Sequence, residues 1–188
     1  MNIRIDLLEQ LEAELRGLQA QPYRAGTPAE VQELLKSILK GYDPEQVGCE
    51  DRPFLKPLAP DLSRFNPREK EARRADQWRF YQGLQAGVTG ADYALADTGT
   101  LILLSGTSGG RGLSLVPPVH IALLPGERIL PALDDFLELF PAGDLLLAQG
   151  SAITFISGAS RTADIELKLV HGAHGPKELH VITLLFPI

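Results

Sequence analysis

Two apolar runs constrain what this chain can fold into more than any other feature. Val119 to Leu124 (VHIALL) and Leu179 to Phe186 (LHVITLLF) are apolar almost without a break. A strand with one wetted face alternates apolar and polar residues, so a continuous run of this length predicts a strand covered on both sides. The first run is closed by Pro125-Gly126, and Ala152 to Ser157 (AITFIS) reads as a third strand. Between them, Leu133, Phe136, Leu137 and Phe140 recur at helical spacing, and residues 162–170 are read as a further helix. Strand, helix, strand, helix, strand implies an α/β architecture, a layered and largely parallel sheet with helices on both faces.

The first third reads differently. Leu7, Leu11, Leu15 and Leu18 with acids between them predict an amphipathic helix over 3–19. Thr27-Pro28-Ala29-Glu30 is a capping box with proline at the first helical position, leading Val31, Leu34, Leu35, Ile38 and Leu39 up to Gly41. Residues 41–66 hold Pro44, Pro53, Pro57 and Pro60 and are expected to be a connecting segment. Asn66-Pro67-Arg68-Glu69 opens a third helix carrying Ala75, Trp78 and Tyr81 inward and ending near Gly87. Residues 90–105 form two short apolar runs hinged on Asp97-Thr98-Gly99, as in a β-hairpin, and 106–112 (GTSGGRG) is a glycine-rich loop. The expected organisation is a single domain over 1–188, with a helical segment and connecting loop in 1–66 and an α/β core in 67–188.

With 18 Lys+Arg against 24 Asp+Glu the formal charge is −6, which lacks the basic field of a general nucleic-acid binder. Asp6, Glu9, Glu12 and Glu14 interrupt the N-terminal apolar pattern, so it is no signal-peptide core, and no run is long enough for a membrane span; a cytoplasmic location is expected. Cys49 is the only cysteine, and one thiol per chain holds neither a four-cysteine zinc site nor a thiolate-ligated iron–sulfur cluster.

Three segments are candidates for chemistry. Ser157-Gly158-Ala159-Ser160-Arg161-Thr162 lies where a strand is read as giving way to a helix. Backbone N–H groups there, the hydroxyls of Ser157, Ser160 and Thr162 and the Arg161 fork suit a carboxylate or phosphate. A simple helix cap with a solvated arginine accounts for the same residues. His171, His174 and His180 fall close together, but without a signature zinc spacing; a polar role for His174 in a ligand pocket stands beside the reading of Gly172, Gly175 and Pro176 as a chain-redirecting turn. The third segment joins Asp97, Thr98, Gly99 and Thr100 to the 106–112 loop, which lacks the P-loop Gly-Lys-Ser/Thr ending and the spaced glycines of dinucleotide sites. Asp97-Thr98-Gly99 also matches the triplet of aspartic proteases, which a single copy in an α/β chain argues against.

Taken together, ADTGTLILLS, GRGLSLVPPVHIALLP and ISGASRTADIELKLVHGAHGPKELHV resemble the lactate-utilisation (LUD) family from about Gly87 to the C-terminus. The resemblance implies a fold like those of ribose-5-phosphate isomerase, glucosamine-6-phosphate deaminase and the CoA transferases, with anionic substrates at strand ends. It implies a non-redox part in oxidising L-lactate to pyruvate, beside two partner proteins that carry the iron–sulfur clusters, and no cofactor in this chain. The expected small-anion pocket comprises Asp97, Thr98, Gly99 and Thr100 facing Ser157, Gly158, Ser160, Arg161 and Thr162, with His174. A free-standing enzyme acting on a phosphorylated or acyl-CoA-like substrate is the alternative.

Overall fold

A computed structural model describes residues 3–65, 74–105, 111–140, 152–165, 168–171 and 175–188. Its centre is a six-stranded sheet of β1 (Gln21–Ala25), β12 (Glu178–Leu184), β7 (Val119–Pro125), β4 (Ala86–Gly90), β2 (Val47–Glu50) and β3 (Ser63–Phe65), in that order. Every neighbouring pair is parallel. β7 and β4 are buried at every position, as the unbroken apolar run of the former predicts.

Helices cover both faces. On one, α2 (Pro28–Ile38) and the short α3 (Leu55–Leu58) set Val31, Leu35, Leu55 and Leu58 against Val47, Val88, Ile121, Leu123 and Ile182. The capping box forms: the Glu30 N–H donates to Thr27 Oγ1 at 3.2 Å, and the Glu30 carboxylate accepts from the Gly26 N–H at 2.8 Å. On the other face, α1 (Ile5–Gly17) places Leu7, Leu8, Leu11 and Leu15 between the central sheet and a second sheet, ordered β8-β5-β6-β9. That sheet consists of β5 (Tyr93–Leu95), β6 (Thr100–Leu104), β8 (Ile129–Leu130) and β9 (Ile153–Ile156), with α6 (Leu133–Glu138) packing Phe136 outside it. The buried Glu12 of α1 accepts from Arg24 of β1 at 2.6 and 3.1 Å, pinning helix to strand.

Beside α1 on this face, α4 (Arg74–Gly83) and the four-residue α5 (Gly112–Leu115) cover β2 and β4. The approach is close. A Cβ on Gly87 would lie 2.1 Å from the Leu113 carbonyl oxygen, and one on Gly48 would lie 2.7 Å from the Leu113 and Leu84 side chains. Tyr81 of α4 rests on Gly112, so α4, α5 and the sheet form one stack.

Several expectations need correction. The division into a helical 1–66 segment and a 67–188 core does not hold, because β1, β2 and β3 all come from the first 66 residues and pair into the central sheet. β2 (VGCE) and β4 (AGVTG) were not read as strands because small residues dominate them; their burial comes from Leu84 and Leu113 filling the glycine positions. The third helix accordingly stops at Gly83, and Gly87 lies within β4; Ala75 and Trp78 have side chains outside the described residues, while Tyr81 is buried. The described residues of the 162–170 stretch are strand and not helix: β10 (Arg161–Ile165) and β11 (Lys168–His171) pair antiparallel. The alternation Thr162, Asp164, then Ile165 suits a half-exposed strand as well as a helix turn, and pairing decided between them. The 90–105 hairpin is present as β5 and β6.

Seating α5 on β4 yields a prediction. Gly87→Ala forces the methyl into the Leu113 backbone, and the overpacking is expected to cost about 1–3 kcal/mol. Urea unfolding measures it; an unchanged midpoint would show that α5 does not rest on β4.

Candidate functional site

The carboxyl ends of parallel strands are where this architecture places ligands, since side chains and loops fan apart there. At the ends of β2, β4 and β7 lies a cleft of about 730 Å³, lined by Arg52, Phe54, Asp92, Tyr93, Leu104, Pro125 and Arg128 among others. Its volume falls within the range of roughly 300–1,000 Å³ common for small-molecule sites.

Behind the cleft stands a buried ionic cluster. Glu50, the last residue of β2, is 2% exposed, and Arg52 is 7% exposed. The Arg52 guanidinium faces Asp92 through one nitrogen at 2.9 and 3.1 Å and Glu50 Oε2 through Nε at 3.2 Å. Asp92 is itself fixed by the Leu104 N–H at 2.7 Å, and the Gly90 N–H donates to Glu50 Oε2 at 3.0 Å. Glu50 Oε1 is buried and accepts no hydrogen bond among the described residues. Phe54 lies 6.0 Å from the guanidinium carbon.

Burial dominates the electrostatics. It pushes the Glu50 carboxyl up to about 7, although Arg52 and the Gly90 N–H pull the other way. Arg52 at 3.2 Å does not restore an ordinary carboxylate because Asp92 already shares its charge. Burial, together with the Glu50 charge, pushes the Tyr81 hydroxyl up to about 12.

A second polar group lies on the same sheet face. His120 of β7 is fully buried, with Nε2 2.8 Å from Thr89 Oγ1 and Nδ1 without a partner among the described residues. Burial and, less so, His180 lower it to about 3, so its ring is neutral. The β2–β4 register, one residue beyond Cys49↔Val88, puts Glu50 beside Thr89, so Glu50, Thr89 and His120 form a polar row across three strands. His180 lies on the opposite face, stacked on Tyr23 at 5.9 Å between centroids.

The residues singled out from sequence lie elsewhere. Thr100 donates to Thr98 Oγ1 at 2.9 Å and shares a 2.8 Å hydrogen bond with Ser157, so the structure brings these three hydroxyls together at the joined ends of β6 and β9. Gly99 (φ 63°) and Gly158 (φ 91°) adopt the left-handed conformation, and both press on α1: a Cβ on Gly99 would be 3.0 Å from Glu14 Cβ, and one on Gly158 2.9 Å from the Leu18 carbonyl oxygen. Asp97 is exposed, and its N–H donates to the Pro131 carbonyl. The Ser160 N–H donates to the Pro176 carbonyl at 2.8 Å. Arg161 and Thr162 lie in β10, across from His171 and Val170; their side chains, and all of His174, lie outside the described residues. β10 rather than a helix begins at Arg161, so no helix dipole is aimed at an anion there.

Glu50, Arg52 and Asp92 escaped sequence reading. Glu50 stands in a Gly/Pro-rich stretch where it looks solvated, and Arg52 and Asp92 are 40 residues apart, joined only by the β2–β4 pairing. Among the described residues no group of three or more His, Cys, Asp or Glu is placed to hold a metal ion, and no helix is long and apolar enough to cross a membrane.

The fold defines a layered α/β protein with an open cleft at the ends of its parallel strands. Residues 8–184 match the LUD domain model, and the chain belongs to the LUD domain family. It is similar to an uncharacterised protein of Neisseria meningitidis serogroup B, 39% identical over 117 residues (60% of this chain, 48% of that protein). It is also similar to lactate utilization protein C of Halalkalibacterium halodurans, 46% identical over 93 residues (48% and 40%), and to lactate utilization protein C of Bacillus subtilis, 34% identical over 112 residues (57% and 43%). The chain thus spans about half the length of the curated relatives it matches. A DUF162-family protein from Deinococcus radiodurans has the same fold, with a TM-score of 0.70 and 24% identity over 98% of this chain and 99% of that one.

The Glu50 environment carries a pH signature. Its folded carboxyl titrates near 7, above the ordinary 4.5, so the folded state holds the proton more tightly than the unfolded one. Its contribution is fully present below pH 4.5 and is lost as pH rises through 7. Chemical denaturation across this range should therefore show wild type losing stability relative to Glu50→Gln as pH rises, with the difference levelling off above pH 7. Parallel pH profiles for the two proteins would show that Glu50 titrates as an ordinary carboxylate.

Proposed function

We propose that this chain is a non-redox component of an L-lactate utilisation system, acting beside two iron–sulfur proteins and binding a small anion. The observation that carries this reading is its similarity to lactate utilization protein C from several bacteria, at 46% identity over 93 residues for that of Halalkalibacterium halodurans. With one cysteine the chain supplies too few thiolates for a cluster, so the electron-transfer groups belong to the partners. Of the two places suited to the anion, the Thr100 and Ser157 hydroxyls are engaged with each other and with Thr98, whereas the strand-end cleft has a buried guanidinium in its wall. The cleft is therefore the anion site in this reading.

A second reading, an enzyme acting alone on a phosphorylated or acyl-CoA-like substrate, is favoured by the buried Glu50 carboxyl, poised near neutrality as general acid–base groups are. The two differ in what they need: an enzyme turns over alone, while a component is silent without its partners.

Disruption of the coding gene is expected to abolish growth on L-lactate, with restoration by the intact gene. The tagged protein from lactate-grown cells should copurify with two iron–sulfur proteins while containing no stoichiometric iron itself. Unimpaired growth of the disrupted strain would overturn the reading, as would a brown, iron-bearing preparation of the isolated chain.

A further inference from the structure

Four charged side chains line the strand-end cleft: Arg52, Asp92, Glu127 and Arg128. The two arginines differ in kind. Arg52 is 7% exposed and holds at least Asp92 at 2.9 Å and Glu50 at 3.2 Å, so its charge is committed within the protein. Arg128 is exposed, and neither it nor its exposed chain neighbour Glu127 enters an ion pair among the described residues. Lack of a counter-ion does not leave Arg128 loose. It ends the turn Gly126–Arg128 that follows β7, one residue before β8, and the parallel register Ala94↔Ile129 sets it beside Tyr93. Its Cζ lies 5.2 Å from the Tyr93 ring centroid, and Nη1 donates to the Tyr93 hydroxyl at 2.9 Å. Tyr93 is held in turn by edge-on contacts with Phe136 and Phe140, at 5.5 and 6.4 Å between centroids. The stack occupies Nη1 and leaves the parallel Nε–H and Nη2–H edge without a partner among the described residues. Two parallel donors of this kind are what a guanidinium offers a planar oxyanion.

We propose that Arg128, steadied on the Tyr93 ring, is the residue of the cleft that receives the ligand's anionic group, a carboxylate or a phosphate, through these two parallel donors. The inference rests on the reading of the cleft as the anion site and moves the direct contact from Arg52 to Arg128. A fork already fixed on an aromatic platform binds without the entropy loss of ordering a long, free side chain. Tyr93 is a positioning residue here, acting on the ligand through Arg128. Arg52, with Asp92 and Glu50, forms the wall behind, and the Glu127 charge, set in water, opposes the incoming anion only weakly.

The test is isothermal titration calorimetry of the full chain at neutral pH with sodium L-lactate, sodium pyruvate and sodium phosphate in turn. Wild type is expected to bind at least one of them. Arg128→Gln is expected to weaken that binding about ten- to hundredfold, as losing hydrogen bonds to a charged group does, with the melting temperature unchanged. Arg128→Lys, which keeps the charge but loses the fork, should recover only part of the loss. Tyr93→Phe keeps the ring and removes the hydroxyl; it should weaken binding on its own and have no effect in the Arg128→Gln background, a coupling that disturbed packing around Tyr93 does not produce. Glu127→Gln should bind at least as tightly as wild type. Undiminished binding in Arg128→Gln, or an equal effect of Tyr93→Phe with and without Arg128, overturns the proposal while leaving the chain an anion binder. Silence of wild type toward all three probes overturns the cleft reading and the proposal with it. Phosphate bound through Arg128 with both acids silent upholds the proposal and removes the lactate class as its ligand.

Discussion

Everything at the cleft end of the central sheet depends on how closely α5 lies against it. Where Gly48 and Gly87 leave the sheet without side chains, Leu113 and Leu84 fill the space and the α5 backbone sits directly on β4. This close packing keeps water from Glu50 and His120, which occupy the next positions of the same face. In an open sheet end both would be ordinary solvated groups. The glycines therefore act on chemistry at a distance: they set the local dielectric, and the dielectric sets the protonation states.

Burial of this kind is costly, and the structure divides the cost unevenly. Glu12 shows the compensated case, a buried carboxylate whose two arginines hold it below the usual range despite desolvation. Glu50 shows the opposite outcome, since its single arginine is already engaged by Asp92. Both are buried glutamates facing arginine, yet they differ because one has two cations to itself and the other shares one. Counting partners, rather than noting that a salt bridge exists, separates a structural ion pair from a group ready to exchange a proton.

How much of this was legible in the sequence depended on whether a segment's burial comes from its own residues. β7 and β12 carry their burial in nearly continuous apolar runs and are strands as expected, and α2 has its expected capping box. β2 and β4 take theirs from neighbours, so glycine, cysteine and threonine in Val47–Glu50 and Ala86–Gly90 gave no periodic signal. The paired strands Arg161–Ile165 and Lys168–His171 differ from the helix expected there because their alternation is short enough to fit a helix turn, and strand pairing is decided by contacts that periodicity does not show. The candidate site was invisible for the same reason: Glu50, Arg52 and Asp92 become neighbours only when β2 pairs with β4.

The two regions of polar side chains can now be assigned different work. Around Gly99 and Gly158, the turns after β5 and β9 press on the last turn of α1, and Thr98, Thr100 and Ser157 are joined by two hydrogen bonds, so this region locks the second sheet to the helix. At the ends of β2 and β4 the capacity is not exhausted: a carboxyl oxygen of Glu50 and a ring nitrogen of His120 remain without hydrogen-bond partners among the described residues, on one sheet face and flanking Thr89. A fold selected for stability alone gains nothing from such groups, because an apolar residue in either place avoids the desolvation cost of about 1–3 kcal/mol for each unsatisfied group. Both groups lie beside a cleft with an arginine in its wall, so the unmet hydrogen-bonding capacity of this sheet face and the open space at its strand ends coincide.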